Sequence, residues 1–175
     1  QAVNPGPSHY CTRRMFLKTG TIVAGLAMSG SNAFKAPADA FIDVNVNLSH
    51  WPLRRLPGDT TRQLAEKLRS RGVTQTWAGT FDGLLHKDLS AANNRLAGEC
   101  RRFADGFLLP FGTINPGMSG WADELYRCAR EHGMRGIRLY PNYHGYTLDD
   151  PVFEQLLHLV VELDLVVQVA LSMED

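Results

Sequence analysis

Apolar runs suited to β-strands recur in this chain at intervals of about thirty residues, the length of one strand-plus-helix unit. They cover residues 41–48, 73–79, 107–113, 136–140 and 165–171. Helical patterns lie between them. Asp59 and Thr60 can cap a helix carrying Leu64 and Leu68 at i, i+4, closed by Gly72. Leu89, Ala92, Leu96, Cys100 and Phe103 mark a second, and Trp121, Leu125, Cys128 and Ala129 a third, ended by Gly133. Asp150-Pro151 opens a fourth as N-cap and N1, with Phe153, Leu156, Leu157 and Val160 on its buried face. Repeated alternation of this kind predicts a parallel sheet with right-handed crossovers.

An open doubly wound sheet and a (β/α)8 barrel both satisfy that pattern, and strand parity separates them. On the first strand Val44, Val46 and Leu48 alternate with Asp43, Asn45 and Asn47. On the fourth, Ile137 and Leu139 oppose Arg138, Tyr140 and Asn142. On the fifth, Val167, Val169 and Leu171 oppose Gln168, Ala170 and Ser172. Central strands of an open sheet are covered on both faces and read apolar on both. One polar face per strand suits a barrel interior, so the reading favours a partial TIM barrel over residues 41–175. Eight strands and about 250 residues make a whole barrel, so five units are expected to be the N-terminal part of one.

Composition bounds the function. Lysine plus arginine equals aspartate plus glutamate, 18 each, so no global field draws the chain to nucleic acid. The three cysteines lack C-x-x-C spacing, and Cys100 and Cys128 fall on apolar helix stripes, where buried free thiols are expected.

Residues 12–18 read TRRMFLK and precede an uncharged, weakly apolar run to Gly30. The run is far short of the roughly 20 apolar residues of a membrane span, so it reads as a signal peptide rather than a stable span. It resembles the twin-arginine translocation signal at Thr12, Arg13, Arg14, Phe16, Leu17 and Lys18. That resemblance implies hand-over to the twin-arginine translocase, export to a bacterial periplasm, and cleavage near residues 31–33 or 38–40. Residues 1–40 are then signal and linker. The plainer alternative is a disordered basic N-terminus.

The segments FIDVNVNL, WPLRRL, GVTQTWAGTFDGLL, PFGTINPG, GIRLYPNYHGYTLDDPVF and VVQVALSMED together resemble the N-terminal half of an amidohydrolase-related protein. The family is one of predicted metal-dependent TIM-barrel hydrolases that includes some nonoxidative decarboxylases. Membership implies a divalent ion, zinc in the family, held at the barrel mouth by two first-strand histidines and by later ligands. Such an ion makes a bound water acidic enough to attack a carbonyl, or orients a carboxylate for loss.

In this chain Asn45 and Asn47 stand at the two histidine positions. Amide oxygens are hard, weak donors that suit calcium or magnesium better than zinc. Three roles therefore stay open for Asp43, Asn45 and Asn47: a polar network, substrate binding, or a divalent metal site.

Arg138 is a candidate partner for a substrate carboxylate, or for Asp43. Tyr140 and Asn142 share its face. His144, in the loop after the fourth strand, is a candidate general acid or base together with Asp43. His50 and Trp51 can wall the pocket. Asp82 reads as a helix cap or a site residue, and Glu174 and Asp175 end the fifth strand. His86, His132 and His158 read as surface residues. The expected function is hydrolysis or decarboxylation of a small carbonyl or carboxylate compound through a metal-activated water. The alternative is a non-catalytic periplasmic binding protein that kept the barrel without first-strand ligation.

Overall fold

The computed structural model describes residues 41–51, 53–103 and 105–171. The twin-arginine stretch, Cys11, both candidate cleavage points, Ser172, Glu174 and Asp175 lie outside the described residues. Strands β1 (Phe41–Leu48), β2 (Val73–Thr80), β3 (Leu108–Thr113), β4 (Gly136–Leu139) and β5 (Val166–Val169) form one sheet in chain order. Every neighbouring pair is parallel, and the sheet curls into half a barrel with alternating helices. The expected strands are all present, with ends displaced by one or two residues.

Helix α1 (Thr61–Arg69) is capped by Thr60, whose hydroxyl accepts from the Gln63 amide. Helix α3 (Leu89–Arg102) starts at Asp88, whose carboxylate accepts from the Ala91 amide. Helix α4 (Trp121–Tyr126) runs into a π-helical turn at Arg127–Glu131, and α6 (Pro151–Glu162) has proline in its first turn. Asp150 has the backbone of an N-cap, but its carboxylate turns back to the Thr147 amide at 2.8 Å. Two short helices escaped the periodicity reading: α2 (Asp82–Leu85) after β2 and α5 (Pro141–His144) after β4. Four residues are too few to show a 3.6-residue period.

The helix-facing side of the sheet carries the core. Ala78, Ile137 and Leu139 are buried there against Leu96, Leu125 and Leu156. Cys100 and Cys128 are buried free thiols, as expected. Burial pushes the Cys100 thiol up to about 12 and raises Cys128 as well.

The concave side is built from aromatic rings, glycines and one arginine. Trp77 stacks on Phe111 with ring centroids 4.7 Å apart. A side chain on Gly136 would meet the Val166 carbonyl at 2.6 Å, so only glycine leaves room there for the Phe111 ring. Gly79 does the same for Arg138, since a Cβ would lie 2.5 Å from Nη1.

Strand β1 departs from simple alternation. Its register steps from Asp43 opposite Thr76 to Val46 opposite Ala78, three residues against two. The cause is local: the Asp43 carboxylate accepts from the Asn45 amide at 3.0 Å, an Asx turn that bends the strand into a bulge. Asp43 thereby pairs on the same side as Val46, and Val44 is left exposed. The expected split, with Val44 beside Val46 and Asp43 beside Asn47, fails at this point.

Both sheet edges are open among the described residues: Phe41, Ile42 and Val44 are exposed on β1, and Val166 and Val169 on β5. No helix among the described residues is long and apolar enough to cross a membrane.

The tight fit of Arg138 over Gly79 gives a direct test. Gly79→Ala is expected to destabilise the domain by about 1–3 kcal/mol through overpacking, measured by denaturant unfolding.

Candidate functional site

Arg138 is 1% exposed and sits at the centre of the concave face. Arginine has five N–H donors in a rigid fork, and here the protein takes all of them. Nε donates to Gln168 Oε1 at 2.8 Å. Nη1 donates to the Val46 carbonyl at 3.1 Å and to Asn47 Oδ1 at 2.7 Å. Nη2 donates to the carbonyls of Val44 and Trp77 at 3.4 and 3.2 Å. Gln168 adds a bond from Nε2 to the Val44 carbonyl at 2.9 Å.

Strand parity brought Arg138, Asn47 and Gln168 together correctly. The expected link from Arg138 to Asp43 does not form. Instead the guanidinium fills the inward carbonyls released by the β1 bulge. Among the described residues Arg138 joins no ion pair, so its charge is buried against neutral acceptors alone. No donor is spare for a bidentate grip on a substrate carboxylate.

Above this layer, at the C-terminal ends of β3 and β4, three polar atoms are enclosed: Thr113 Oγ1 and His144 Nδ1 without a hydrogen-bond partner, and Tyr140 Oη with only the Arg138 guanidinium beside it and no acceptor for its proton. They gather around α2. A Cβ on Gly83 would lie 2.8 Å from Thr113 Cβ, and His144 Nε2 meets the Gly83 carbonyl at 2.9 Å. The Tyr140 and His144 rings stand edge to face at 5.8 Å. A carbonyl can only accept, so Nε2 carries the ring proton and Nδ1 is left as a lone-pair acceptor. Burial lowers the His144 pKa below its ordinary value, with the Gly83 bond pulling the other way. Burial raises that of Tyr140, while the neighbouring Arg138 opposes it through its charge and a hydrogen-bonding approach to the hydroxyl oxygen.

The remaining sequence candidates lie elsewhere. Asp43 holds the β1 bulge, and Asn45 is exposed with its amide on that carboxylate. Asn142 occupies the exposed side of α5. His50 Nδ1 lies 3.2 Å from Asp59 Oδ2, and Arg55 grips the same carboxylate through two nitrogens. That grip holds Asp59 down to about 2, against the opposing effect of burial. A cleft of about 510 Å³ opens beside the pair, lined by Leu48, Ser49, Thr80 and Arg95 among others. It belongs to the helix side of β1 and β2, so His50 does not join the Arg138–Tyr140 group. Trp51 packs edge to face on Phe81 at 5.1 Å. Asp82 pairs with Arg95 at 2.9 Å. His86 and His158 are exposed, whereas His132 is half-buried with Nε2 enclosed.

One network escaped the sequence reading. Asn93, fully buried, donates to the Thr113 carbonyl and to Glu124 Oε1, and accepts from the Thr113 amide. It fixes the rim residue of β3 from α3. Its position four after Leu89 and three before Leu96 places it on the buried stripe, the one signal that could have exposed it.

Five parallel strands in a curled sheet with alternating helices, with Arg138 at the centre of the concave face, define the class: part of an α/β barrel. The amidohydrolase family profile matches residues 39–174, and the chain belongs to that family. Solved structures share the fold. A 5-carboxyvanillate decarboxylase from Novosphingobium aromaticivorans, determined with bound manganese, is 24% identical with a TM-score of 0.54 over 64% of this chain and 35% of that one. A 4-oxalomesaconate hydratase from Rhodopseudomonas palustris is 17% identical, with a TM-score of 0.58 over 75% and 52%. A 2,6-dihydroxybenzoate decarboxylase is 15% identical, with a TM-score of 0.58 over 73% and 49%. The chain spans about a third to a half of the length of these relatives. No curated protein matches it.

The family's divalent metal does not fit the donor set at β1. Asn47 Oδ1 is already an acceptor for a cationic N–H, and the Val44 and Val46 carbonyls are taken in the same way. Among the described residues no three His, Cys, Asp or Glu side chains gather as a metal site.

The lowered pKa of His144 carries a pH signature. An unfolded histidine takes up its proton near pH 6.5, before the folded one, so the neutral ring contributes fully above that value. The contribution is lost as pH falls through the unfolded value toward the lower folded one. His144→Gln is therefore expected to flatten the decline in Tm between about pH 7.5 and 5, read by thermal unfolding at several pH values.

Proposed function

We propose that the protein acts on a small carboxylate or carbonyl compound seated at the strand ends, by hydrolysis or decarboxylation, with Tyr140 and His144 as the groups that touch it. The observation that carries this reading is the buried Tyr140 hydroxyl, whose oxygen lies against the uncompensated charge of Arg138 and whose proton has no protein acceptor. A substrate oxygen placed there accepts from that hydroxyl. The guanidinium behind it stabilises negative charge through its field, which acts strongly where water is excluded. His144, neutral at physiological pH, offers Nδ1 as the base that takes a proton or, once protonated, as the acid that returns it. Asp43, bound to the strand backbone, acts on this site only through the shape of β1. No step is routed through a metal, because the β1 donors are engaged. Family membership and the decarboxylases and hydratase among the structural relatives support this class of chemistry.

A second reading follows from the same β1 geometry. A family member without first-strand ligands can bind such a compound and leave it intact. Incubating the purified protein with a panel of small aromatic and aliphatic carboxylates, esters and amides separates the two. Turnover is expected to fall about 10²- to 10⁴-fold in kcat/KM on His144→Gln, and clearly on Tyr140→Phe. Saturable binding without product formation favours the binding protein.

Export is also proposed, on the strength of the TRRMFLK stretch. Replacing Arg13 and Arg14 by lysine is expected to leave the precursor in the cytoplasm of a bacterial host, read by fractionation. Undiminished secretion refutes translocation by this route.

A further inference from the structure

The resemblance to the amidohydrolase family implies a cation where the first strand faces the barrel interior, and this chain already has one there. We infer that the guanidinium of Arg138 is the resident cation of the concave face, standing in for a metal held by β1, so that residues 45 and 47 bind no divalent ion.

Four observations converge on this assignment. Asn47, the second of the two family ligand positions, points its side-chain oxygen at Nη1 over 2.7 Å. The carbonyls on either side of Asn45 accept from Nη2 and Nη1, so the inward oxygens of β1 are turned to one positive group. Every acceptor around that group is neutral: two amide oxygens and three backbone carbonyls. Finally, among the described residues the concave positions of the other strands carry Trp77, Gly79, Phe111, Thr113, Gly136 and Gln168, with no imidazole or carboxylate. A divalent ion bound at Asn47 would sit against an enclosed like charge with only neutral oxygens to offset it, which is strongly unfavourable.

Arginine suits this duty. It stays charged at any physiological pH, and its planar fork reaches five acceptors at once. It cannot ionise a bound water as a metal does. The site therefore keeps a fixed positive charge and cannot supply a metal-bound hydroxide. Ligands favoured by such a centre are anions, or carbonyl compounds that become anionic as they react.

The inference is independent of the catalytic assignment and needs no substrate to test. The full-length protein, its Asn47→Asp variant, its Asn45→His/Asn47→His variant and the same pair with Arg138→Met are dialysed against zinc and, separately, manganese. Metal per protein is counted by mass spectrometry. The parent chain is expected to retain no stoichiometric metal. The triple variant is expected to bind zinc about tenfold or more tighter than the double variant, because the competing cation is gone.

Removing Arg138 can unfold the domain, so Asn47→Asp supplies a second readout. A carboxylate beside an unpaired guanidinium is expected to raise Tm by about 2–4 °C in EDTA, the equivalent of roughly 1 kcal/mol in a chain of this size. Stoichiometric zinc or manganese on the parent chain that is lost on Asn47→Ala overturns the inference. So does an Asn47→Asp variant that gains metal and shows no stabilisation in EDTA.

Discussion

The concave face of this half-barrel depends on a single fork of hydrogen bonds. Arg138 reaches from β4 to β1, β2 and β5, tying strands that are far apart in sequence through one planar group. Burying a cation is expensive unless each of its protons finds an acceptor. Here that requirement explains otherwise unrelated features. Gly79 is small because the guanidinium lies over it. The bulge in β1 leaves carbonyls facing inward, and the same group satisfies them. Gln168 spans the remaining gap between the arginine and the Val44 carbonyl.

Much of this was legible in the residues. The spacing of strand-like runs gave the five strands, and the alternation around Arg138 and Gln168 gave the curved polar face. What parity could not supply was the bulge, because period-two counting assumes an unbroken ladder. One Asx turn at Asp43 moved it to the opposite side from Asn47 and so removed the expected salt bridge. The two rim helices were hidden for a related reason: Pro141 to His144 and Asp82 to Leu85 are single turns, defined by contacts with each other rather than by their own pattern. Through these turns His144 and Tyr140 become neighbours, which a linear reading of the loop could only suggest.

The departure at Asn45 and Asn47 also takes on a physical meaning beside Arg138. Histidine at position 47 would present an imidazole to a fixed guanidinium, and a protonated or metal-bound ring has no lone pair left to accept from it. Asparagine offers an oxygen, and Asn47 uses it. The Asn47 amide is thus consistent with the arginine, so strand one and strand four carry one arrangement between them at that position.

Asn93 gives the rim an unusual dependence. The last backbone amide and carbonyl of β3 are held by a side chain of α3. The position of Thr113 at the opening is therefore coupled to an outer helix, and through Glu124 and Arg127 to α4 and its π turn. The outer helices and the opening are therefore joined by two side chains, Asn93 and Glu124, in addition to the sheet itself.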